Sequence, residues 1–203
     1  MDSLQVPRYF PLAIRESVFI RPVKETDASA LFDAVDQSRA SLSLYLPWVS
    51  AVKNVEDSAC FVKSAMAQEA SGNGLHCVIY DDNQLGELEV FGVVSLRTIN
   101  APTKTADIGY WLREDKVGMG LCTMSCKKLI EYGQAIGIEH FEIHVATDND
   151  MSAAIPKRLG FQKKPGKITV AETINNEVVD HHVYLLEPNS TPDSPATNDG
   201  NVK

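Results

Sequence analysis

The segment Asp107-Ile108-Gly109-Tyr110-Trp111-Leu112 alternates like a strand and runs into Val117-Gly118-Met119-Gly120-Leu121-Cys122-Thr123, after which a long amphipathic run begins. This order of strand, glycine loop and helix start constrains the fold more than any other feature of the chain. Gly118 and Gly120 lie one residue apart. Without a Cβ the backbone turns tightly there, and successive N–H groups can converge on one anion beside a helix N-terminus. The expected helix runs from about Met119 to Ile136 and ends at Gly137, a residue suited to a left-handed C-cap.

The rest of the chain reads as strands and helices around that unit. Ser17 to Val23 alternates as a strand, and Thr26 offers an N-cap for a helix from Asp27 to about Ala40. Ser41 to Val49 reads as a short helix ended by Pro47, and Val55 to Ala70 as a longer one with Glu56 and Asp57 in its first turn, stopped by Ser71-Gly72-Asn73-Gly74. Leu75 to Tyr80 and Glu87 to Arg97 read as strands around a turn at Asp81 to Gln84. After a turn at Asn100 to Thr103, the strand Thr105 to Leu112 leads into the loop, and His140 to Ala146 is the next strand. A helix from Asp150 to Leu159 stops at Gly160, and Phe161 to Thr173 pairs with Val178 to Leu186 across Asn175-Asn176. The sheet is therefore mixed, of about seven strands flanked by helices, in an α/β (α+β) domain over residues 1–187. Residues 188–203 are polar and proline-containing without an apolar face, as expected of a disordered tail.

A net charge of −8 with no five-residue basic run excludes a general nucleic-acid binder. A cationic or neutral substrate suits such a chain better, while a local nest of amides can still hold a phosphate. Cys60, Cys77, Cys122 and Cys126 form no CxxC pair and read as free thiols of a reducing cytoplasm, with no metal site. No apolar stretch approaches the roughly 20 residues needed to cross a bilayer.

Farther on, Asn149-Asp150-Met151-Ser152 and Lys157-Arg158-Leu159-Gly160-Phe161 complete a pattern with the glycine loop. The stretch from Asp107 to Phe161 resembles the GNAT N-acetyltransferases, specifically the RimJ/RimL-like branch of ribosomal-protein acetyltransferases, and the resemblance extends weakly over Ser17 to Leu186. It implies acetyl-CoA as co-substrate and no metal. The acceptor would be a primary amine: a protein N-terminal α-amino group, or a small toxic molecule in a detoxifying enzyme. A non-catalytic CoA-binding module is the remaining alternative. The resemblance leaves monomer and homodimer both open.

Residue by residue, the resemblance makes Tyr110, Trp111 and Leu112 the splayed strand that bonds the pantetheine arm. Val117, Gly118, Met119, Gly120, Leu121, Cys122 and Thr123 form the diphosphate loop. The loop departs from the family pattern, which carries Gln or Arg at the position of Val117 and Gly or Ala at that of Cys122. Asn149 either bonds the pantetheine arm or caps the following helix. Ser152 stands where a proton donor to the departing thiolate belongs, and helix capping is its other reading. A base must free the amine of its proton, and Asp107 is the first candidate, with Glu87 and Glu89 behind it. Glu87 and Glu89 also fit a solvated strand start. His144 serves as base, lines the acceptor cleft, or is a hydrogen-bonded structural histidine. Tyr45 and Trp48, in the Leu44-Tyr45-Leu46-Pro47-Trp48 cluster, are candidate walls of the acceptor pocket, with the core as the alternative.

Overall fold

The computed structural model describes residues 10–82, 88–166, 168–174 and 177–188. Strands β1 (Leu12–Ala13) and β2 (Val18–Pro22) lead to helices α1 (Ala28–Gln37), α2 (Arg39–Leu42) and α3 (Val55–Ser71). Strands β3 (Leu75–Asp81), β4 (Glu89–Asn100) and β5 (Thr105–Leu112) follow, then α4 (Leu121–Ala135), β6 (His140–Ala146), α5 (Asp150–Arg158), β7 (Gln162–Lys163), β8 (Ile168–Ile174) and β9 (Glu177–Leu186). They form one sheet in the order β1-β2-β3-β4-β5-β6-β9-β7, with β8 on β9. Among the described residues the sheet has nine strands rather than seven because β1 and β7 are two-residue pairings, too short to show alternation in sequence.

Every pairing is antiparallel except β5 with β6, which α4 joins as a crossover. Strand alternation then loads the two faces. Cys77, Ile79, Val94, Leu96 and Ile108 pack with Leu121, Cys126 and Leu129 of α4 and Ala153 of α5. Val78, Tyr80 and Val93 pack on the other face with Leu31 and Ala34 of α1 and Val62 and Ala65 of α3. Burying each large aliphatic side chain contributes roughly 1.5–3 kcal/mol. No helix among the described residues is long and apolar enough to cross a membrane.

Three local expectations are corrected. Thr26 is exposed and caps nothing; the buried Asp27 carboxylate instead accepts the Lys24 N–H at 2.8 Å and both Arg21 guanidinium nitrogens at 2.7 and 2.8 Å. A carboxylate with a bidentate arginine is the stronger acceptor, so the chain enters α1 through a 3-10 turn at Glu25–Asp27. Pro47 does not end a helix but begins the 3-10 turn Pro47–Ala51, where its missing N–H costs nothing. Helix α4 starts at Leu121 rather than Met119, because Gly118 and Gly120 hold left-handed φ of 83° and 77°. The turn at Asn175-Asn176, Asn83 and Gln84 of the turn at Asp81 to Gln84, and all of the tail beyond residue 188 lie outside the described residues.

Packing of α4 against β6 is tight enough to test. A Cβ on Gly133 would stand 2.8 and 2.9 Å from two ring carbons of Phe141, which is fully buried. Gly133→Ala gains about 1 kcal/mol of helix propensity and loses about 1–3 kcal/mol to overpacking. A net destabilisation of about 1 kcal/mol is expected from the denaturant midpoint, and a stabilised variant would contradict this packing.

Candidate functional site

Strand β5 pairs with β6 only through Thr105, Ala106 and Asp107, opposite His140, Phe141 and Glu142. Beyond that point the two strands part, although each continues, β5 to Leu112 and β6 to Ala146. The β6-facing backbone groups of Ile108 to Leu112 thus have no strand partner, an open edge inside a sheet. On its other side β5 stays paired with β4, from Gly92↔Leu112 to Asn100↔Thr105. Tyr110, Trp111 and Leu112 therefore sit on the open edge, as the sequence suggested.

The loop after β5 is anchored before it reaches its glycines. Ser38 Oγ accepts the Glu114 N–H at 2.8 Å, Arg113 pairs with Asp115 and Glu89, and Lys116 lies 4.2 Å over the Phe91 ring. Val117, Gly118, Met119 and Gly120 are then exposed. A Cβ on Gly118 would meet nothing within 4 Å, and one on Gly120 only the Met124 methyl at 3.9 Å, so positive φ and not crowding demands glycine here. No side chain caps α4, and its first intrahelical bond, Met124 N–H to Gly120 C=O at 3.1 Å, leaves the N–H groups of Leu121, Cys122 and Thr123 for a ligand. Arg15 reaches the Met119 carbonyl at 3.5 Å, bringing a cation to the loop that the sequence did not signal.

Cys122 fits the family's small position half-buried, and burial pushes its thiol up to about 12.

At the start of α5, Asn149 Oδ1 accepts the Ser152 N–H at 3.0 Å, so the capping reading of Asn149 holds for its oxygen, leaving its NH₂ group for other partners. Ser152 is half-buried, and Tyr110 Oη lies 3.1 Å from both its carbonyl oxygen and its Oγ. Burial pushes the Tyr110 phenol well above the ordinary tyrosine value.

The opposite face of the same strands carries the charged candidates. Asp107 is the last β5 residue paired with β6, so it stands at the vertex where they part. Its Oδ2 pairs with Arg97 at 2.6 Å, while its Oδ1 is buried with no hydrogen-bond partner among the described residues. Arg97 is the extra residue of a β-bulge, where the register passes from Leu96↔Ile108 to Thr98↔Asp107, and its side chain lies over Gly109. Next to Asp107, Glu142 binds Lys164 at 2.7 Å and His144 at 3.4 Å, and those contacts, Lys164 foremost, hold its carboxyl below the ordinary glutamate value. Trp48, on the Pro47–Ala51 turn, packs against Trp111 with ring centroids 5.9 Å apart. Tyr45 is half-buried on the segment between α2 and that turn.

Glu89 is not brought to the vertex: Arg113 and Lys116 take its carboxylate at 3.0 and 3.2 Å, and it serves the loop. Glu87 lies outside the described residues. A cavity of about 440 Å³ lined by Lys163, Lys164, Pro165, Gly166 and His182 lies at the β7–β9 edge, and Lys164 also binds Glu142 beside the vertex.

The sequence model of the family described as Acetyltransferase (GNAT) domain matches residues 17–162. The chain belongs to the GNAT acetyltransferases. Among its relatives in that family, the ribosomal-protein-serine acetyltransferase of Escherichia coli K12 is 28% identical over 174 residues, covering 85% of this chain and 94% of that protein. The fold matches that of RimL, the ribosomal L7/L12 α-N-protein acetyltransferase in complex with coenzyme A, with a TM-score of 0.81 at 26% identity over 89% of this chain and 99% of that one. It matches the microcin C7 self-immunity acetyltransferase MccE, in complex with acetyl-CoA and AMP, with a TM-score of 0.80 at 27% identity over 91% and 99%.

Proposed function

We propose that this GNAT enzyme transfers the acetyl group of acetyl-CoA to a primary amine, the N-terminal α-amino group of a protein, by direct attack in the cytoplasm. The observation that carries the reading is the parting of β5 from β6 after Asp107, directly upstream of an uncapped glycine loop. The residues present fit the co-substrate. The open β5 edge from Ile108 to Leu112 offers N–H and C=O groups to the pantetheine amides as an added strand would. The amides of Gly118 to Thr123 surround a position where no Cβ or capping side chain intrudes, which suits a diphosphate. Val117 costs this cradle little, since the donors are backbone groups.

When bound, acetyl-CoA supplies an activated thioester. The backbone N–H groups of β5 near Trp111 donate to the carbonyl oxygen as it gains charge. The unpartnered Oδ1 of Asp107 accepts the proton of the attacking amine, with the Arg97 pair fixing the carboxylate. Trp48 and Trp111 shield the amine from solvent on that face. Ser152 stands across the strand, on the α5 side, and donates a hydrogen bond to the departing sulfur.

The relative in Escherichia coli and the RimL structure favour a ribosomal-protein N-terminus as acceptor. The MccE likeness, of nearly the same score, favours a small-molecule amine as the second reading. Calorimetric titration with acetyl-CoA should give micromolar binding, followed by turnover of peptides with free N-termini in preference to small amines. Absence of binding would remove the cofactor assignment, and turnover of small amines alone would select the second reading.

A further inference from the structure

Helix α5 contains a proline four residues after Ser152, and Pro156 has no N–H to give to the Ser152 carbonyl. That carbonyl instead accepts the Tyr110 hydroxyl at 3.1 Å, and the same phenol oxygen lies 3.1 Å from Ser152 Oγ. A phenol carries one proton, and a carbonyl oxygen can only accept. Both contacts are satisfied together in one arrangement: Tyr110 donates to the carbonyl, and the Ser152 hydroxyl donates to the phenol oxygen. Pro156, by orphaning the carbonyl, thus decides which way two hydroxyl protons point.

We propose that Tyr110 and Pro156 direct the Ser152 hydroxyl, parking its proton on the phenol oxygen until negative charge develops on the departing sulfur, to which it then turns. The inference rests on the placement of Ser152 beside the sulfur in the proposed function. Turning exchanges a neutral hydrogen bond for one to an anion, which is roughly twice as strong, so the exchange is favourable only once the sulfur is charged. The interaction is therefore made in the transition state and not in the ground state, where it would only tighten binding.

No proton passes along this chain. Burial keeps the Tyr110 phenol protonated, so it cannot replace a proton lost by the serine. The amine nitrogen forms its bond to the carbonyl carbon, the C–S bond breaks, and the proton that nitrogen loses equals the one the thiolate finally gains through Asp107 and solvent. Tyr110 is a positioning residue. Cys122, Cys126 and Tyr184 are the other titratable groups near the phenol, and burial holds both thiols above their ordinary value.

The test is the titration of the CoA thiol bound to the full chain, followed by ultraviolet absorbance of the thiolate, with the ligand-free curve subtracted because Cys60 is an exposed free thiol. Calorimetry run in parallel establishes saturation with CoA. The wild type should hold the bound thiol about one pK unit below that of free CoA titrated alongside. Ser152→Ala should return it to about the free value. Tyr110→Phe, which removes the acceptor that competes for the serine proton, should lower it further, and the double variant should match Ser152→Ala. Pro156→Ala restores an N–H to the carbonyl and frees the Tyr110 proton for the serine oxygen, whose own proton then no longer rests on the phenol, so it should lower the value as Tyr110→Phe does. Tyr110→Phe with the wild-type value, while Ser152→Ala loses it, would overturn the inference alone. Pro156→Ala with the wild-type value would overturn the role given to Pro156 in directing the two protons. Ser152→Ala with the wild-type value would remove Ser152 from the sulfur, and the inference with it.

Discussion

Gly120→Glu is expected to give a folded protein that no longer takes up acetyl-CoA. The position has a φ of 77°, where a side chain costs roughly 1–2 kcal/mol. Space is not the obstacle, since the new Cβ would meet only the flexible Met124 methyl at 3.9 Å. A carboxylate beside the free amides of α4 recovers about 0.3–1 kcal/mol from the helix dipole, so the fold loses little. The same recovery excludes the ligand. The side chain becomes an intramolecular anion at the cradle, and repels the diphosphate that would displace it. Calorimetry should show the affinity weakened by more than about 100-fold, equivalent to nearly 3 kcal/mol. Gly120→Ala, which carries the strain without the charge, should retain measurable binding. Wild-type affinity in the glutamate variant would mean that the loop does not hold the diphosphate.

Asp107→Asn should lower kcat by about 100-fold, within the range found for general bases, while the affinity for acetyl-CoA stays within about twofold. The amide keeps the size of the side chain and a contact for Arg97, but it cannot take a proton. The separation of kcat from binding is the discriminating result, because Asp107 sits on the face opposite Tyr110 and Ser152 and touches no part of the diphosphate loop. A variant with wild-type kcat would move the base to the neighbouring Glu142–His144 pair, whose carboxylate and Nε2 lie 3.4 Å apart.

Strands β5 and β6 begin and end where alternation and glycine punctuation place them, and α3 begins at Val55 as its acidic first turn suggests. These elements carry their own signal. The entry into α1 does not, because Asp27 is held there by Arg21 of β2, and no side chain among the described residues caps the helix. Pro47 reads equally as a stop and as a start until the following turn is known. The cofactor side of the site was legible for a similar reason: its glycines, strand and helix start are consecutive. The acceptor side was legible only in part. Asp107 could be picked out, but Arg97 reaches it through a bulge, and no local pattern announces an unpaired register position. Glu89 looked available because its partners Arg113 and Lys116 arrive only when the loop folds back. The Tyr110–Ser152 contact spans 42 residues, and no local pattern announces it.

The seam between β5 and β6 divides the sheet into two rafts, β1 to β5 on one side and β6 to β9 on the other, held across the middle by three residue pairs. A cofactor that lies along the open edge of one raft and reaches toward the other acts as a staple for the whole sheet. Ligand binding and mechanical stiffness are then the same event. With acetyl-CoA in excess the two rafts should melt as one unit, at a temperature that rises with the logarithm of ligand concentration. Without it, amide protons along Ile108 to Leu112 and Ile143 to Ala146 should exchange sooner than those of β3 and β4, so the sheet should be loosest along the line where the proposed chemistry takes place.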